Sequence, residues 1–111
     1  MDKKLNEKVA IVTGGARGLG KGIVKSLLSN GSKVILFDSN KENGLQSESE
    51  LNNQYKNCVT FFHGDVSSKK DNVKAVKLAI DIYGKLDIIC ANAGIFPLTW
   101  IKDISEKEWD N

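Results

Sequence analysis

Short apolar runs alternate along the chain with longer stretches in which apolar residues recur every three or four positions. The runs predict four strands, and the stretches between them predict three helices. A strand whose residues are almost all apolar is typical of a parallel sheet that is covered on both faces. The order therefore predicts an α/β fold whose strands span residues 9–13, 33–37, 58–62 and 85–90.

Two of the predicted helices carry a clear apolar stripe. The first begins at Gly18, ends near Gly31 and has its stripe on Leu19, Ile23, Val24, Leu27 and Leu28. The third begins after Ser68, with Asp71 completing a capping box, and ends at Gly84. Its predicted core residues are Val73, Val76, Ile80 and Tyr83.

The second helix is predicted to be weaker than the other two. Ser39 and Glu42 match a capping box, but Gly44 and the polar run up to Asn53 lower the helix propensity. Its predicted apolar face is thin and consists of Leu45, Leu51 and Tyr55.

A glycine-rich turn joins the first strand to the first helix, with the spacing Gly14-x-x-x-Gly18-x-Gly20. Such a turn places unpaired backbone N–H groups and the positive end of a helix dipole at one point, which suits a phosphate group. The spacing departs from the common G-x-G-x-x-G fingerprint. A triphosphate-binding loop stays open as an alternative, but it requires Ser or Thr after Lys21, where Gly22 stands. A turn that serves packing alone is the other alternative.

Asp38 closes the second predicted strand, eighteen residues after Gly20. In a dinucleotide-binding fold, an acidic side chain at this place reaches the ribose. A carboxylate there accepts hydrogen bonds from the ribose hydroxyls and repels a 2′-phosphate, so it favours NAD over NADP. An aspartate that only starts the turn before the next helix is the alternative.

The turn, which reads Thr13-Gly-x-x-x-Gly-x-Gly20, resembles that of the short-chain dehydrogenase/reductase family. Asp65-Val66 after the third strand resembles a second motif of the family. Ala91-Asn-Ala-Gly94 after the fourth strand resembles a third, with alanine in place of the family's first asparagine. The resemblance implies the first part of a doubly wound Rossmann fold, with a parallel sheet in the order 3-2-1-4.

The resemblance also implies a cofactor. In the family the Asp-Val step holds the adenine ring, and the loop after the fourth strand lies over the ribose. A basic residue at the position of Arg17 can help to bind the 2′-phosphate of NADP, but we weight Asp38 above it and expect NAD, with NADP less favoured. The expected cofactor-binding residues are Thr13, Gly14, Arg17, Gly18, Leu19, Gly20, Asp38, Asp65, Val66, Asn92, Ala93 and Gly94.

The chemistry implied by the resemblance is hydride transfer between a nicotinamide and an alcohol or ketone. The family's catalytic serine and its Tyr-x-x-x-Lys pair have no counterpart here, because Val59 and Asp87 stand four residues after Tyr55 and Tyr83. We assign no catalytic residue and expect these 111 residues to be inactive on their own. An inactive NAD-binding module that regulates or pairs with a full-length relative is the alternative.

The chain is expected to form one partial domain over residues 1–111, with a polar tail at 1–8. Ser105 and Glu108 match a capping box, so residues 105–111 are expected to be the start of a helix that is cut off. We expect the fold to stop after its fourth strand and to leave an apolar edge, which predicts poor solubility of the isolated chain. The complete protein is expected to be a homo-oligomer.

Composition excludes several classes of partner. The net charge is +2, from 16 basic and 14 acidic residues spread along the chain, which leaves no basic stripe for nucleic acid. The apolar runs are too short for a membrane span or a signal peptide, which predicts a cytoplasmic protein. Cys58, Cys90 and the lone His63 lack the spacing of a metal or redox site, so we expect no metal.

Overall fold

Strands and helices alternate along the residues that the computed structural model describes, which are 5–16 and 18–91. The strands are β1 (Val9–Thr13), β2 (Lys33–Asp38), β3 (Val59–His63) and β4 (Ile88–Ala91). The helices are α1 (Gly18–Ser29), α2 (Lys41–Gln54) and α3 (Lys69–Tyr83). No helix within these ranges is long and apolar enough to cross a membrane.

The strands form one parallel sheet in the order β3-β2-β1-β4, which confirms the predicted topology. Its register aligns the carboxyl ends of the strands. Thr13 lies opposite Phe37 in β2 and opposite Ala91 in β4, while Asp38 lies opposite His63 in β3. The order of the strands reverses between β1 and β4, and in open α/β sheets ligands bind at the carboxyl edge beside such a point.

Helices cover both faces of the sheet. On the first face, α1 and α2 pack against a core made of Ala10, Val12, Val24, Leu27, Leu28, Val34, Leu36, Leu51 and Val59. On the second face, α3 packs against a core made of Val9, Ile11, Ile35, Phe37, Ala75, Val76 and Ala79. Because alternate residues of a strand face opposite sides, β1 is buried along its whole length.

The predicted ends of α1 and α3 are confirmed. The Ser68 hydroxyl caps α3 by accepting a hydrogen bond from the backbone N–H of Asp71 at 3.2 Å. Gly84 follows this helix with a φ of 85°, and Gly31 follows α1 with a φ of 96°. Both values lie in the left-handed region that commonly ends a helix.

The predicted cap of α2 was wrong by one residue. The cap is Asn40, whose Oδ1 accepts a hydrogen bond from the backbone N–H of Asn43 at 2.9 Å. The N–H of Asn40 itself donates to Asp38 Oδ1 at 2.9 Å. This turn after the strand uses Ser39 as its middle residue, so the helix starts one position later than the capping-box pattern indicates.

The predicted apolar face of α2 was also partly wrong. Leu45 is 49% exposed, and the buried positions of the helix are Gly44, Ser47 and Leu51. Gly44 lies directly against the ring of Phe61, so that α2 approaches β3 closely. Because successive residues of a helix lie about 100° apart, burying Gly44 turns Leu45 toward solvent.

Strand β4 begins three residues later than predicted. The carboxylate of Asp87 accepts a hydrogen bond from the backbone N–H of Val9 at 2.9 Å, and the N–H of Asp87 donates to the Val9 carbonyl, also at 2.9 Å. Residues 85–87 therefore connect α3 to the start of β1, and regular pairing begins at Ile88. Strand β3 is shifted by one residue, because it begins at Val59 and includes His63.

Substitution by alanine should have opposite effects on stability at two helical glycines, because Gly44 of α2 packs on β3 and Gly22 of α1 has open space around it. Gly44→Ala would place a methyl group inside the Phe61 ring, so we expect the free energy of unfolding to fall by about 1–3 kcal/mol. Gly22→Ala, at an exposed position of α1 with open space around it, should raise that free energy by about 0.5–1 kcal/mol. Urea unfolding of both variants tests this, and equal stabilities would contradict the observed packing.

Tyr83 joins α3 to the sheet. Its hydroxyl lies 2.9 Å from the Thr60 hydroxyl, and the Lys33 ammonium lies 5.7 Å from the centre of its ring. Burial raises the pKa of this tyrosine above its ordinary value of 10.0. The folded state therefore favours the neutral, protonated hydroxyl of Tyr83. The stability that this group contributes is complete below pH 10.0 and is lost as the pH rises through the higher folded pKa.

Tyr83→Phe tests this dependence on pH. The variant should lose about 1 kcal/mol of stability at pH 8, because it lacks the hydrogen bond to Thr60. Above pH 10.0 its stability should fall less steeply than that of the unaltered protein. Urea unfolding at pH 8 and at a pH above 10.0 measures the two effects. Tyr55→Phe is the matched control, and an alkaline loss unchanged in Tyr83→Phe would count against the assignment.

Candidate dinucleotide-binding site

The glycine turn starts from a point that is fixed on both sides. The backbone N–H of Gly14 donates to the Phe37 carbonyl at 2.7 Å, which extends the pairing of β1 with β2 into the turn. On the other side, the Thr13 hydroxyl makes a long hydrogen bond of 3.4 Å to the Cys90 carbonyl in β4. The turn is therefore placed at the carboxyl edge, where the order of the strands reverses.

Two glycines of the turn serve different purposes. Gly15 is buried, and a Cβ at this position would lie 3.1 Å from Leu36 and from Val24, which makes it a packing position. Gly18 is exposed and has a φ of 59°, and a Cβ there would meet nothing within 4 Å. Glycine is needed at Gly18 for its backbone conformation, and the space beside it is open.

The first turn of α1 can receive an anionic group. The N–H groups of the first residues of a helix have no partner within the helix and carry the positive end of its dipole. The first turn of α1 contains no acidic residue that would repel an anion. The Leu19 side chain is 75% exposed, which provides an apolar surface beside these donors. Gly20 is buried at the base of the same turn.

Asp38 lies beside this turn and is 8% exposed. Its Oδ2 accepts a hydrogen bond from the backbone N–H of Ala16 at 3.1 Å, and its Oδ1 accepts one from Asn40 at 2.9 Å. Asp38 therefore takes part in the turn that leads into α2. A carboxylate oxygen can accept more than one hydrogen bond, so the ribose-binding role stays a prediction.

The end of β3 forms the turn that leads into α3. Oδ1 of the exposed Asp65 accepts hydrogen bonds from the Ser67 hydroxyl at 2.6 Å and from its backbone N–H at 2.8 Å. These two bonds, the hydroxyl first, hold the pKa of the Asp65 carboxyl below its ordinary value of 3.8. The N–H of Asp65 donates to Asp71, while Val66 packs against the core under α3. Contact of Asp65 and Val66 with an adenine ring stays a prediction.

His63 and Cys90 also lie near this edge of the sheet, and the contacts of each are those of a structural residue. His63 is exposed, and its Nε2 lies 3.1 Å from the Ser39 carbonyl. Burial raises the pKa of the Cys90 thiol, so the thiol stays protonated at neutral pH. Within the described ranges, no group of three or more His, Cys, Asp or Glu side chains could hold a metal ion.

A cavity of about 420 Å³ opens between the starts of α1 and α2, directly beside the turn. It is lined by Ala16, Gly18, Lys21, Asn43, Gln46 and Ser47. Lys21, one of the lining residues, forms an ion pair of 3.0 Å with Glu50 of α2, which links the two helices.

Sequence reasoning missed Ser47, whose hydroxyl donates a hydrogen bond of 2.8 Å to the Ala16 carbonyl in the turn. The available signal was its spacing from Gly44 and Leu51, which places all three on one helix face. This signal was weak, because two of the three residues on that face are small or polar, whereas a buried helix face is normally predicted from apolar residues.

Four of the expected cofactor-binding residues lie outside the described ranges. These residues are Arg17, Asn92, Ala93 and Gly94. The expected helix start at residues 105–111 and the first half of the N-terminal tail also lie outside them.

The described part of the site fits a dinucleotide in charge and in position. Backbone donors at the start of α1 suit the pyrophosphate, and the Asp38 carboxylate at the neighbouring strand end suits ribose hydroxyls. Both lie at the carboxyl edge of the sheet, with the start of α1 beside the reversal of strand order and Asp38 at the end of the neighbouring strand β2.

Known proteins match this chain over most of its length. The sequence matches the family described as short chain dehydrogenase over residues 8–111. It is 40% identical over 101 residues to a diacetyl reductase, (S)-acetoin forming, of Staphylococcus epidermidis, covering 91% of this chain and 39% of that protein. It is 36% identical over 107 residues to the 15-hydroxyprostaglandin dehydrogenase (NAD(+)) of Rattus norvegicus, covering 96% of this chain and 37% of that protein.

Solved structures show the same likeness. A short-chain dehydrogenase from Novosphingobium aromaticivorans matches with a TM-score of 0.78 and 30% identity, over 87% of this chain and 36% of that one. The chain therefore spans less than two fifths of the length of each of these three proteins.

Proposed function

Because the chain belongs to the short-chain dehydrogenase/reductase family, we propose that it forms the dinucleotide-binding part of an NAD-dependent oxidoreductase. The proposed reaction is hydride transfer between a nicotinamide and an alcohol or ketone. The bound nicotinamide would supply the hydride donor or acceptor. The residues of this chain bind the cofactor and fix its orientation, with the pyrophosphate at the start of α1 and the adenosine ribose at Asp38.

One observation carries the proposal. The Asp38 carboxylate lies 3.1 Å from the backbone N–H of Ala16, although the two residues are 22 positions apart in the sequence. The contact brings an acceptor for ribose hydroxyls beside the backbone donors of the turn. In a dinucleotide the ribose and the pyrophosphate are directly joined, so these two groups would be met together.

The relatives bear on the cofactor and on the substrate. The name of the rat relative includes NAD(+), which supports NAD as the cofactor of this chain. The two named relatives act on different compounds, diacetyl in one case and a hydroxyprostaglandin in the other. The proposal therefore extends to the class of alcohols and ketones and to no single member of it.

We expect the intact protein, meaning the complete oxidoreductase that contains this chain, to bind NAD saturably in isothermal titration. Gly18→Ala should weaken this binding about tenfold, because alanine is strained by about 1–2 kcal/mol at a φ in the left-handed region, and relief of that strain shifts the backbone donors at the start of α1. Gly22→Ala, four residues further along α1 in open space, is the matched control and should leave the dissociation constant unchanged. An intact, folded protein that binds neither NAD nor NADP would overturn the proposal.

Asp38→Asn tests the choice between NAD and NADP. An alanine at this position would leave the N–H of Ala16 unpaired and distort the turn, whereas asparagine keeps one carbonyl acceptor. Loss of the negative charge should raise the affinity for NADP relative to NAD about tenfold, because the repulsion of the 2′-phosphate is removed. Any damage to the turn weakens the binding of NAD and NADP alike, so it cancels in the ratio of the two dissociation constants.

The control for Asp38→Asn is Asp81→Asn, which removes one negative charge at an exposed position of α3. It should leave the ratio of the two dissociation constants unchanged. If Asp38→Asn shows the same ratio as the unaltered protein, Asp38 does not select the cofactor.

A further inference from the structure

Ser47 is buried in α2 and faces the glycine turn. Its side chain is 2% exposed, and its hydroxyl donates a hydrogen bond of 2.8 Å to the carbonyl of Ala16, which is also 2% exposed. A buried carbonyl without a partner is costly, so this hydroxyl fixes where the carbonyl lies.

Asp38 holds the same turn residue, Ala16, through the backbone N–H of that residue. The backbone N–H of Ala16 donates to Asp38 Oδ2, while its carbonyl accepts from Ser47. The N–H and the carbonyl of Ala16 are thus held by two different elements, the end of β2 and the middle of α2. The turn is fixed relative to both of them.

Helix α2 is itself fixed relative to Asp38. The N–H of Asn40, which caps the helix, donates to Asp38 Oδ1, and Gly44 packs directly on Phe61 of β3. The contacts form a closed ring that runs from Asp38 through Asn40 and α2 to Ser47, then through Ala16 back to Asp38. Ser47 closes this ring on the side of the turn.

We propose that Ser47 is a positioning residue for dinucleotide binding, which sets the distance between the phosphate-binding turn and the ribose-binding carboxylate of Asp38. The inference rests on the proposed function. Without the hydroxyl, the Ala16 carbonyl must find another partner, and the turn moves relative to Asp38. The cost falls on cofactor binding, because a dinucleotide must meet both groups at once.

Ser47→Ala in the intact protein tests the proposal by isothermal titration with NAD. We expect the dissociation constant to rise about tenfold, and the KM for NAD to rise by the same factor with little change in kcat. Ser47→Thr keeps the hydroxyl that donates to the Ala16 carbonyl and should restore the affinity. If Ser47→Ala does not fold, Ser47→Cys, with its weaker donor, replaces it and should bind less tightly than the unaltered protein.

Two controls separate positioning from general stability. Ser49→Ala removes an exposed hydroxyl from the same helix and should change neither the affinity nor the Tm. Ala79→Gly lowers the Tm through α3 on the opposite face of the sheet and should leave the affinity unchanged.

The outcomes distinguish this inference from the function on which it rests. Unchanged affinity in the folded Ser47→Ala variant, or an equal loss in Ala79→Gly, would overturn the role of Ser47 and leave the proposed function standing. An unaltered intact protein that binds neither NAD nor NADP would overturn both. Loss of affinity in Ser47→Ala that Ser47→Thr restores would support the proposal.

Discussion

Burial of β1 on both faces and along both edges is the constraint on which the other elements depend. All five of its residues are buried, and it pairs with β2 on one side and β4 on the other. At the end of this strand Leu36 and Val24 crowd Gly15, where a Cβ would lie 3.1 Å from each of them. Small residues at this point keep the backbone bare at the start of α1. Crowding at Gly15 and the left-handed backbone at Gly18 thus both favour glycine where the chain enters α1, and the helix donors there stay open to a phosphate.

A turn built this way buries polar backbone groups that need partners. The N–H and the carbonyl of Ala16 lie in a nearly dry position, where an unpaired group costs about 1–3 kcal/mol. Asp38 and Ser47 supply the two partners, and the described residues contain no buried side-chain nitrogen or oxygen without one. The polar contacts of the turn are thus part of its folding, and the charge of Asp38 is placed by the same hydrogen bonds.

Local patterns predicted most of the fold. Each apolar run became a strand, and the Ser68 cap and the glycine after α3 were found because the groups involved lie within a few residues of one another. The start of β4 was missed because the partner of Asp87 is Val9, 78 positions away. The buried face of α2 was missed because Gly44 and Ser47 are buried by a ring in β3 and a carbonyl in the turn, neither of which the helix sequence contains. Within the candidate site, spacing along the sequence predicted the glycines and Asp38, whereas the contact of Ser47 with the turn required the tertiary structure.

The position of Asp38 explains why cofactor choice and folding are coupled in the proposed function. If the ribose-binding residue lay on a loop without contacts to the glycine turn, its substitution would leave that turn unchanged. Here both carboxylate oxygens accept backbone N–H groups, one from Ala16 and one from Asn40. A replacement that accepts a 2′-phosphate must therefore also satisfy two donors that the fold has already placed. Because one of them belongs to the turn and the other caps α2, a substitution that shifts cofactor preference at this position also disturbs both elements.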